Sequence, residues 1–291
     1  MKKNTKVAVT GANGFIGSKL VKKLLNKNIQ VLCLQRNNIN KMNMNTHYFN
    51  LRNLNNDTLS ILSNVDVVVH TAGLVHQGKL SEKKYLNLNF EATKKIFEKC
   101  KELKIKKFIF LSTMSVYGLT SSSSKININS LVNPTTNYAK SKFLTERYLL
   151  SQKSNIKVSI IRLPSVYGKK APGNFGDLEK LALTRLPLPF LGLKNKRSMI
   201  NVDLVADFLA KIALNYSDSL GLHLLCEETP FSTEFFFKKI RNENNIPERL
   251  FFLPKNLIRI FLKLIRKEKT YRRLYENLEF ISTINLKNNK S

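Results

Sequence analysis

The sequence predicts an α/β fold, a doubly wound parallel sheet with a smaller C-terminal lobe, and three observations carry the prediction. Strand-like apolar runs alternate with helical patterns through the first half of the chain. Closely spaced glycines join the first strand to the first helix. After Leu163, shorter elements punctuated by Pro164, Pro172, Pro187 and Pro189 replace the alternation.

The first strand, Lys6 to Thr10, leads into Thr10-Gly11-Ala12-Asn13-Gly14-Phe15-Ile16-Gly17 and then the amphipathic run Lys19 to Leu25, which predicts a helix over 15–26. Gly11 can take a bend that a side chain would forbid, Gly14 lets backbone approach a pyrophosphate, and Gly17 lets the helix pack closely on the strand. Amides at the start of the helix then face the anion. Gly11, Asn13, Gly14, Phe15, Ile16 and Gly17 are therefore candidate cofactor contacts, and residues 1–165 read as a Rossmann-type dinucleotide-binding domain. Further strands are expected over 30–35, 47–51, 65–70, 107–112 and 157–163, with helices over 85–103 and 138–152. Residues 166–284 read as a substrate-binding lobe that returns one strand near 220–226, and 285–291 as a frayed tail. Ser121 to Ser124 reads as a flexible loop over the site. Lys255 to Arg273 carries Leu257, Ile258, Phe261, Leu264 and Ile265 at helical spacing, with Lys and Arg on other faces. The default reading is a lid helix packed by that stripe; the other is peripheral contact with a membrane surface.

With 291 residues, 43% of them hydrophobic, the chain can bury a large core. Its net charge of +29 would ordinarily suggest nucleic acid, but the lysines are scattered among asparagines with no base-stacking motif beside them, so no nucleic-acid partner is expected. Cys33, Cys100 and Cys226 are odd in number and far apart, and His47, His70, His76 and His223 lack ligand spacing, so neither a disulfide framework nor a metal is expected. His70, ending Val67-Val68-Val69, reads as a packed strand-end residue. No apolar run is long enough to span a bilayer, and Met1-Lys2-Lys3 leads directly into the first strand, so a cytoplasmic protein is expected.

The chemistry is expected at Tyr138 and Lys142, one helical turn apart in Asn137-Tyr138-Ala139-Lys140-Ser141-Lys142 and so on the same helix face. A free phenol titrates at about 10, too high for acid–base work near neutrality, and a fixed ammonium beside it favours the phenolate. Thr113, at the carboxyl end of the strand 107–112, is the third candidate: its hydroxyl can hydrogen-bond the substrate oxygen whose charge changes during hydride transfer. Ser112 and Ser115 read as strand-end caps, with Ser115 also within the expected substrate site.

These segments, together with His70-Thr71-Ala72-Gly73, Asn89 and Arg162-Leu163 before Val166-Tyr167-Gly168, resemble the extended short-chain dehydrogenase/reductase family, the sugar-nucleotide epimerases, dehydratases and 4-keto reductases. The resemblance implies that Asn50 and Leu51 lie near the adenine of NAD or NADP, that Ala72 and Gly73 line the cofactor, that Asn89 positions the Lys142 region, and that Lys142 bonds the nicotinamide ribose. Gly173-Asn174-Phe175, Leu186-Pro187-Leu188-Pro189 and Asn195-Lys196-Arg197-Ser198 look like the branch acting on UDP-2-acetamido sugars in bacterial surface-polysaccharide synthesis. In that branch Asn174 and Phe175 match positions holding the nucleotide half of the substrate, and Arg197 the one gripping its diphosphate. Where an acidic residue would bond the ribose of NAD, the chain has Gln35-Arg36, and Arg36 can meet a 2′-phosphate, which tilts the expectation toward NADP. The Asp-Glu pair of the family's 4,6-dehydratases is replaced by Met114-Ser115, so dehydration is not expected. The chain stops at Ser291, earlier than expected for this branch. The leading expectation is reduction of the C4 ketone of a UDP-2-acetamido-2,6-dideoxyhexose. The alternative is a UDP-hexose 4-epimerase, with a catalytically silent nucleotide-binding protein as a third reading. The family also implies a homodimer.

Overall fold

The computed structural model describes residues 5–36, 45–75, 80–215 and 219–286. The chain begins with β1 (Lys6–Thr10), α1 (Phe15–Leu25), β2 (Gln30–Gln35), β3 (Thr46–Tyr48), α2 (Asn56–Ser60) and β4 (Val67–His70). A long helical segment follows: α3 (Glu82–Tyr85), a π-helical stretch (Leu86–Glu91) and α4 (Ala92–Glu102). Next come β5 (Lys107–Thr113), a 3₁₀ turn (Met114–Tyr117), α5 (Asn137–Ser151), β6 (Lys157–Leu163) and β7 (Ser165–Tyr167). The remaining elements are α6 (Gly173–Ala182), β8 (Met199–Asn201), α7 (Val202–Leu214), β9 (Gly221–Leu224), α8 (Thr233–Glu243), α9 (Lys255–Leu264) and α10 (Glu268–Tyr275).

Seven strands form one parallel sheet in the order β3-β2-β1-β4-β5-β6-β9, and β7 pairs with β8 in a separate parallel ribbon. The doubly wound sheet predicted from the alternation is present. A parallel sheet must be covered on both faces, and side-chain alternation divides this one cleanly. Val7, Val9, Val67, Val69, Ile109 and Leu111 face α1 and α7, while Ala8, Val68, Phe108, Phe110 and Ile160 face α4 and α5. Lys107, fully buried at the start of β5, donates to the carbonyls of Ile212 (2.8 Å) and Asn215 (3.1 Å) and so caps α7 with a cation. The strand order reverses at β1 and β4, leaving the crevice that such folds use for ligands at their carboxyl ends.

The elements after β6 serve two layers. α7 covers the sheet beside α1, bridged by Lys19–Asp203 (3.0 Å) and Lys23–Asp207 (2.8 Å), and β9 extends the sheet beside β6. The rest gathers around an aromatic core of Phe175, Phe190, Phe236, Phe237, Tyr271 and Tyr275. Arg241, fully buried, holds this lobe together by donating to the carbonyls of Ala182 (3.0 Å), Thr184 (3.1 Å) and Leu186 (2.7 Å).

Three expectations are corrected. The strand expected over 47–51 ends at Tyr48, because the chain turns at Leu51, where Asn53 N–H bonds the Asn50 carbonyl (3.0 Å). The helix expected from Tyr85 begins at Glu82 and widens into a π-helical stretch at its centre. The lid helix expected over 255–273 is two helices, broken where Arg266 takes a left-handed φ of 55°, and most of its apolar stripe is exposed rather than packed. Residues 287–291 of the expected tail and His76 lie outside the described residues.

Candidate active site

The first turn of α1 is built to hold an anion. Gly11 sits at φ 69°, in the left-handed region, and a Cβ on Gly17 would fall 2.1 Å from the Gly11 carbonyl oxygen, so the helix start and the turn touch backbone to backbone. Gly14 caps the helix without offering a side-chain acceptor, and no acidic residue occupies the first turn. The amides there retain their affinity for a phosphate.

A cleft of about 750 Å³ opens at this turn. Its lining brings together Gly11, Asn13, Gly14, Phe15, Ile16, Gly17, Gln35, Arg36, Asn50, Leu51, Ala72 and Gly73 with Thr113, Ser115, Tyr138, Lys142 and Arg197. Asn89 does not line it. Phe175 lines a second hollow of about 220 Å³, which shares Ser115 and Arg197 with the first. Asn174 lies in α6, but its side chain is outside the described set.

Thr136 fixes the start of α5 by accepting the Ala139 amide (3.1 Å), and the next turns project Tyr138 and Lys142 toward the end of β5. The Thr113 hydroxyl donates to Ser115 Oγ (3.1 Å), accepts the Ser115 amide (3.1 Å) and acts on the nearby Tyr138 phenol. Lys142, 6% exposed, donates to the Leu111 carbonyl (2.8 Å) and lies 4.4 Å from the centre of the Phe110 ring. The lowering of the phenol by the amine, expected from their spacing, is overturned. Burial pushes the phenol up to about 12, against the Thr113 hydrogen bond that lowers it, and Tyr85 adds to the rise. Burial pulls Lys142 down to about 8, with Glu146 opposing. The phenol therefore rests protonated, because loss of water outweighs the lowering by Thr113.

Asn89 acts from behind the cleft. Its Oδ1 accepts the Leu74 amide (2.7 Å), and its Nδ2 donates to the Leu74 carbonyl (3.0 Å) and to Ser141 Oγ (3.0 Å), whose own hydroxyl donates to the Tyr138 carbonyl (2.8 Å). It thus ties the loop after β4 to the helix carrying Tyr138.

A buried relay lies beside it. The Ala72 amide donates to Thr10 Oγ1 (3.2 Å), the Thr10 hydroxyl to His70 Nδ1 (2.7 Å), His70 Nε2–H to Thr93 Oγ1 (2.9 Å), and the Thr93 hydroxyl to the Asn89 carbonyl (2.6 Å). Donor order fixes the Nε2–H tautomer. Burial, with Lys142 adding to it, lowers the imidazole to about 3 and keeps it neutral. Neither Thr10 nor Thr93 was given this role from the sequence; for Thr10 the available signal was a polar residue ending an otherwise apolar strand, and Thr93, on α4, offered none.

Arg197 stands between the two hollows, but its guanidinium donates to the carbonyls of Glu276 (3.0 Å), Arg272 (3.3 Å) and Thr120 (3.3 and 3.4 Å). Burial, reinforced by Arg273, lowers it to about 10. Leu278 and Phe280, from the C-terminal segment, close the wall of the cleft, and no motif announced them. Among the described residues, no group of three or more His, Cys, Asp or Glu could hold a metal, and no helix is long and apolar enough to cross a membrane.

Residues 7–221 match the model of the NAD dependent epimerase/dehydratase family. A UDP-glucose 4-epimerase of Vibrio cholerae is 31% identical over 214 residues, 70% of this chain and 65% of that protein. The chain thus matches just under two thirds of that relative's length. A solved UDP-glucuronic acid 4-epimerase from Bacillus cereus, in complex with NAD, superposes with a TM-score of 0.73 at 21% identity, over 97% of this chain and 95% of that one. A UDP-N-acetylglucosamine 4-epimerase from Methanobrevibacter ruminantium, in complex with UDP-N-acetylmuramic acid, superposes with a TM-score of 0.72 at 22% identity, over 92% and 98%. At these identities the superpositions establish a shared fold.

Proposed function

We propose that this chain, which belongs to the NAD dependent epimerase/dehydratase family, is a nicotinamide-dependent enzyme that inverts C4 of a UDP-hexose by way of a 4-ketone. The observation that carries the reading is the convergence of Thr113, Tyr138 and Lys142 on the same cleft as the glycine turn. The relatives named UDP-sugar 4-epimerases support inversion over the net C4-ketone reduction read from the sequence.

The residues fit a dinucleotide: the amides of Gly14 to Gly17 for its pyrophosphate, Gln35 and Arg36 for the adenosine ribose, and Gly73 and Lys142 for the nicotinamide side. The neighbour bound to NAD supports that cofactor, and Arg36 leaves room for NADP. When bound, the nicotinamide accepts and returns the C4 hydrogen as hydride. Tyr138 takes the proton of the C4 hydroxyl and returns it to the C4 oxygen, Thr113 holds that oxygen, and Lys142 supplies the charge that lets the phenol cycle. The elements around the aromatic core form the substrate lobe, with Phe175 beside the nucleotide and Arg197 at its diphosphate after exchanging carbonyl partners.

One observation favours the reductase as a second reading. A phenol resting protonated is in the form that gives a proton to a ketone, whereas inversion must begin by removing one. Incubation with UDP-glucose or UDP-GlcNAc, with nicotinamide absorbance followed alongside product, separates the two. Inversion gives C4 epimers at constant absorbance. Consumption of reduced cofactor with a UDP-4-keto-6-deoxy sugar, and no epimer, supports reduction instead. In either case Tyr138→Phe should lower turnover by about 10²–10⁴-fold while cofactor affinity, read by fluorescence titration, stays near that of the parent. A homodimer through α4 and α5, where Leu144 and Leu150 are exposed, belongs to the same proposal and predicts a two-chain mass in sedimentation equilibrium.

A further inference from the structure

Helix α9 carries more apolar surface than its packing uses. Ile258 is buried and Leu262 partly buried against the aromatic core of the lobe. Leu257, Ile260, Phe261 and Leu264 are 55%, 58%, 60% and 77% exposed. At helical spacing these four side chains fall within an arc of roughly 100°, next to the packed arc rather than on it. Four large apolar side chains grouped on about two turns of helix form a contact surface, since isolated exposed residues need no partner but a contiguous patch does.

The charges identify the partner. From Lys255 to Lys267 the chain has Lys255, Arg259, Lys263, Arg266 and Lys267 and no acidic residue, on a protein of net charge +29. Isologous pairing of two such faces would set these cations against their own copies. A nucleic acid would satisfy the cations and leave the aliphatic arc in water. An anionic lipid surface takes both: acyl chains receive the apolar arc, and headgroups receive Lys263, the cation of α9 nearest that arc, whose long side chain bridges the two levels. We propose that α9 docks this chain on anionic membrane, with its axis in the plane of the interface. The following helix, α10, contributes Arg273 and Leu274 to the second hollow, and the Arg272 carbonyl receives Arg197, so the docked surface lies one short connection from the wall of the binding site. The inference rests on exposure and charge and is independent of the reaction assigned to the cleft.

The test is sedimentation of the full chain with phosphatidylcholine vesicles, with and without phosphatidylglycerol. Binding is expected to the anionic vesicles and to weaken with salt. Phe261→Ser combined with Leu264→Ser should reduce it about tenfold or more with the thermal midpoint unchanged, since both side chains are exposed. Arg259→Glu combined with Lys263→Glu should weaken binding and reduce its salt dependence. Absence of binding to anionic vesicles, or binding unchanged in either double variant, overturns the proposal. So does a lipid-free assembly of the chain that the apolar double variant dissociates, because a second copy would then cover the face.

Discussion

At the residue scale, the site is expensive to fold. Lys142 ordinarily titrates at 10.5 and is pulled to about 8 by burial. Below 8 the amine is charged in both folded and unfolded chains, and the fold carries the burial penalty. Between 8 and 10.5 the unfolded chain holds the extra proton, so stability rises with pH across that window. Replacing Lys142 with Met should therefore raise the melting temperature at pH 7, by up to about 3 kcal/mol of stability less the lost bond to Leu111, and should flatten the rise seen in melts between pH 8 and 10.5. Turnover should disappear in the same variant. A melting temperature that falls at pH 7 would show that the amine is better solvated than its 6% exposure implies. The pairing of Tyr138 with Lys142 was legible because helical spacing fixes a shared face. The direction of the phenol's shift was not, because it depends on how much water the folded cleft excludes and on Tyr85, which approaches from another helix.

At the element scale, two contacts set the frame. α1 meets the glycine turn with no room for a methyl group, since the obstructing atom at Gly17 is a backbone oxygen that cannot swing aside. Gly17→Ala should weaken cofactor binding by about tenfold or more in titration, through displacement of the first-turn amides. The second contact is the buried pair Arg162–Glu146 (2.7 Å), which joins β6 to α5 and is extended by Ser112 on the carboxylate and by Tyr117 on the guanidinium (2.8 Å). Glu146→Gln leaves a buried cation without its counter-charge and should cost about 3–5 kcal/mol in denaturant unfolding. The glycine turn could be read from the sequence because its residue types are demanded by local backbone geometry. Glu146 could not, since its value comes from an arginine sixteen positions away on a neighbouring strand. The same distinction explains α9: periodicity shows that a helix is amphipathic, and only the packed structure shows how much of the stripe finds a partner.

At the scale of the whole molecule, strand alternation and the early glycine turn were enough to anticipate the parallel sheet, since both are local patterns repeated along the chain. The way the later segments rejoin it was less visible. α7 covers a face of the sheet whose strands begin with β1, and β9 pairs with β6 after β7, α6, β8 and α7 have intervened. That order has a consequence during synthesis. At roughly 5–20 residues per second, the nascent chain has the apolar face of Val7, Val9, Val67 and Val69 made well before Val205 and Leu209 emerge to cover it. A fragment ending at Asn201 should accordingly collect in the insoluble fraction and bind a hydrophobic dye, where the full chain does neither. A ribosome producing this protein must shelter one side of a half-built sheet for ten seconds or more, which makes the chain a natural client for whatever chaperone waits at the exit tunnel.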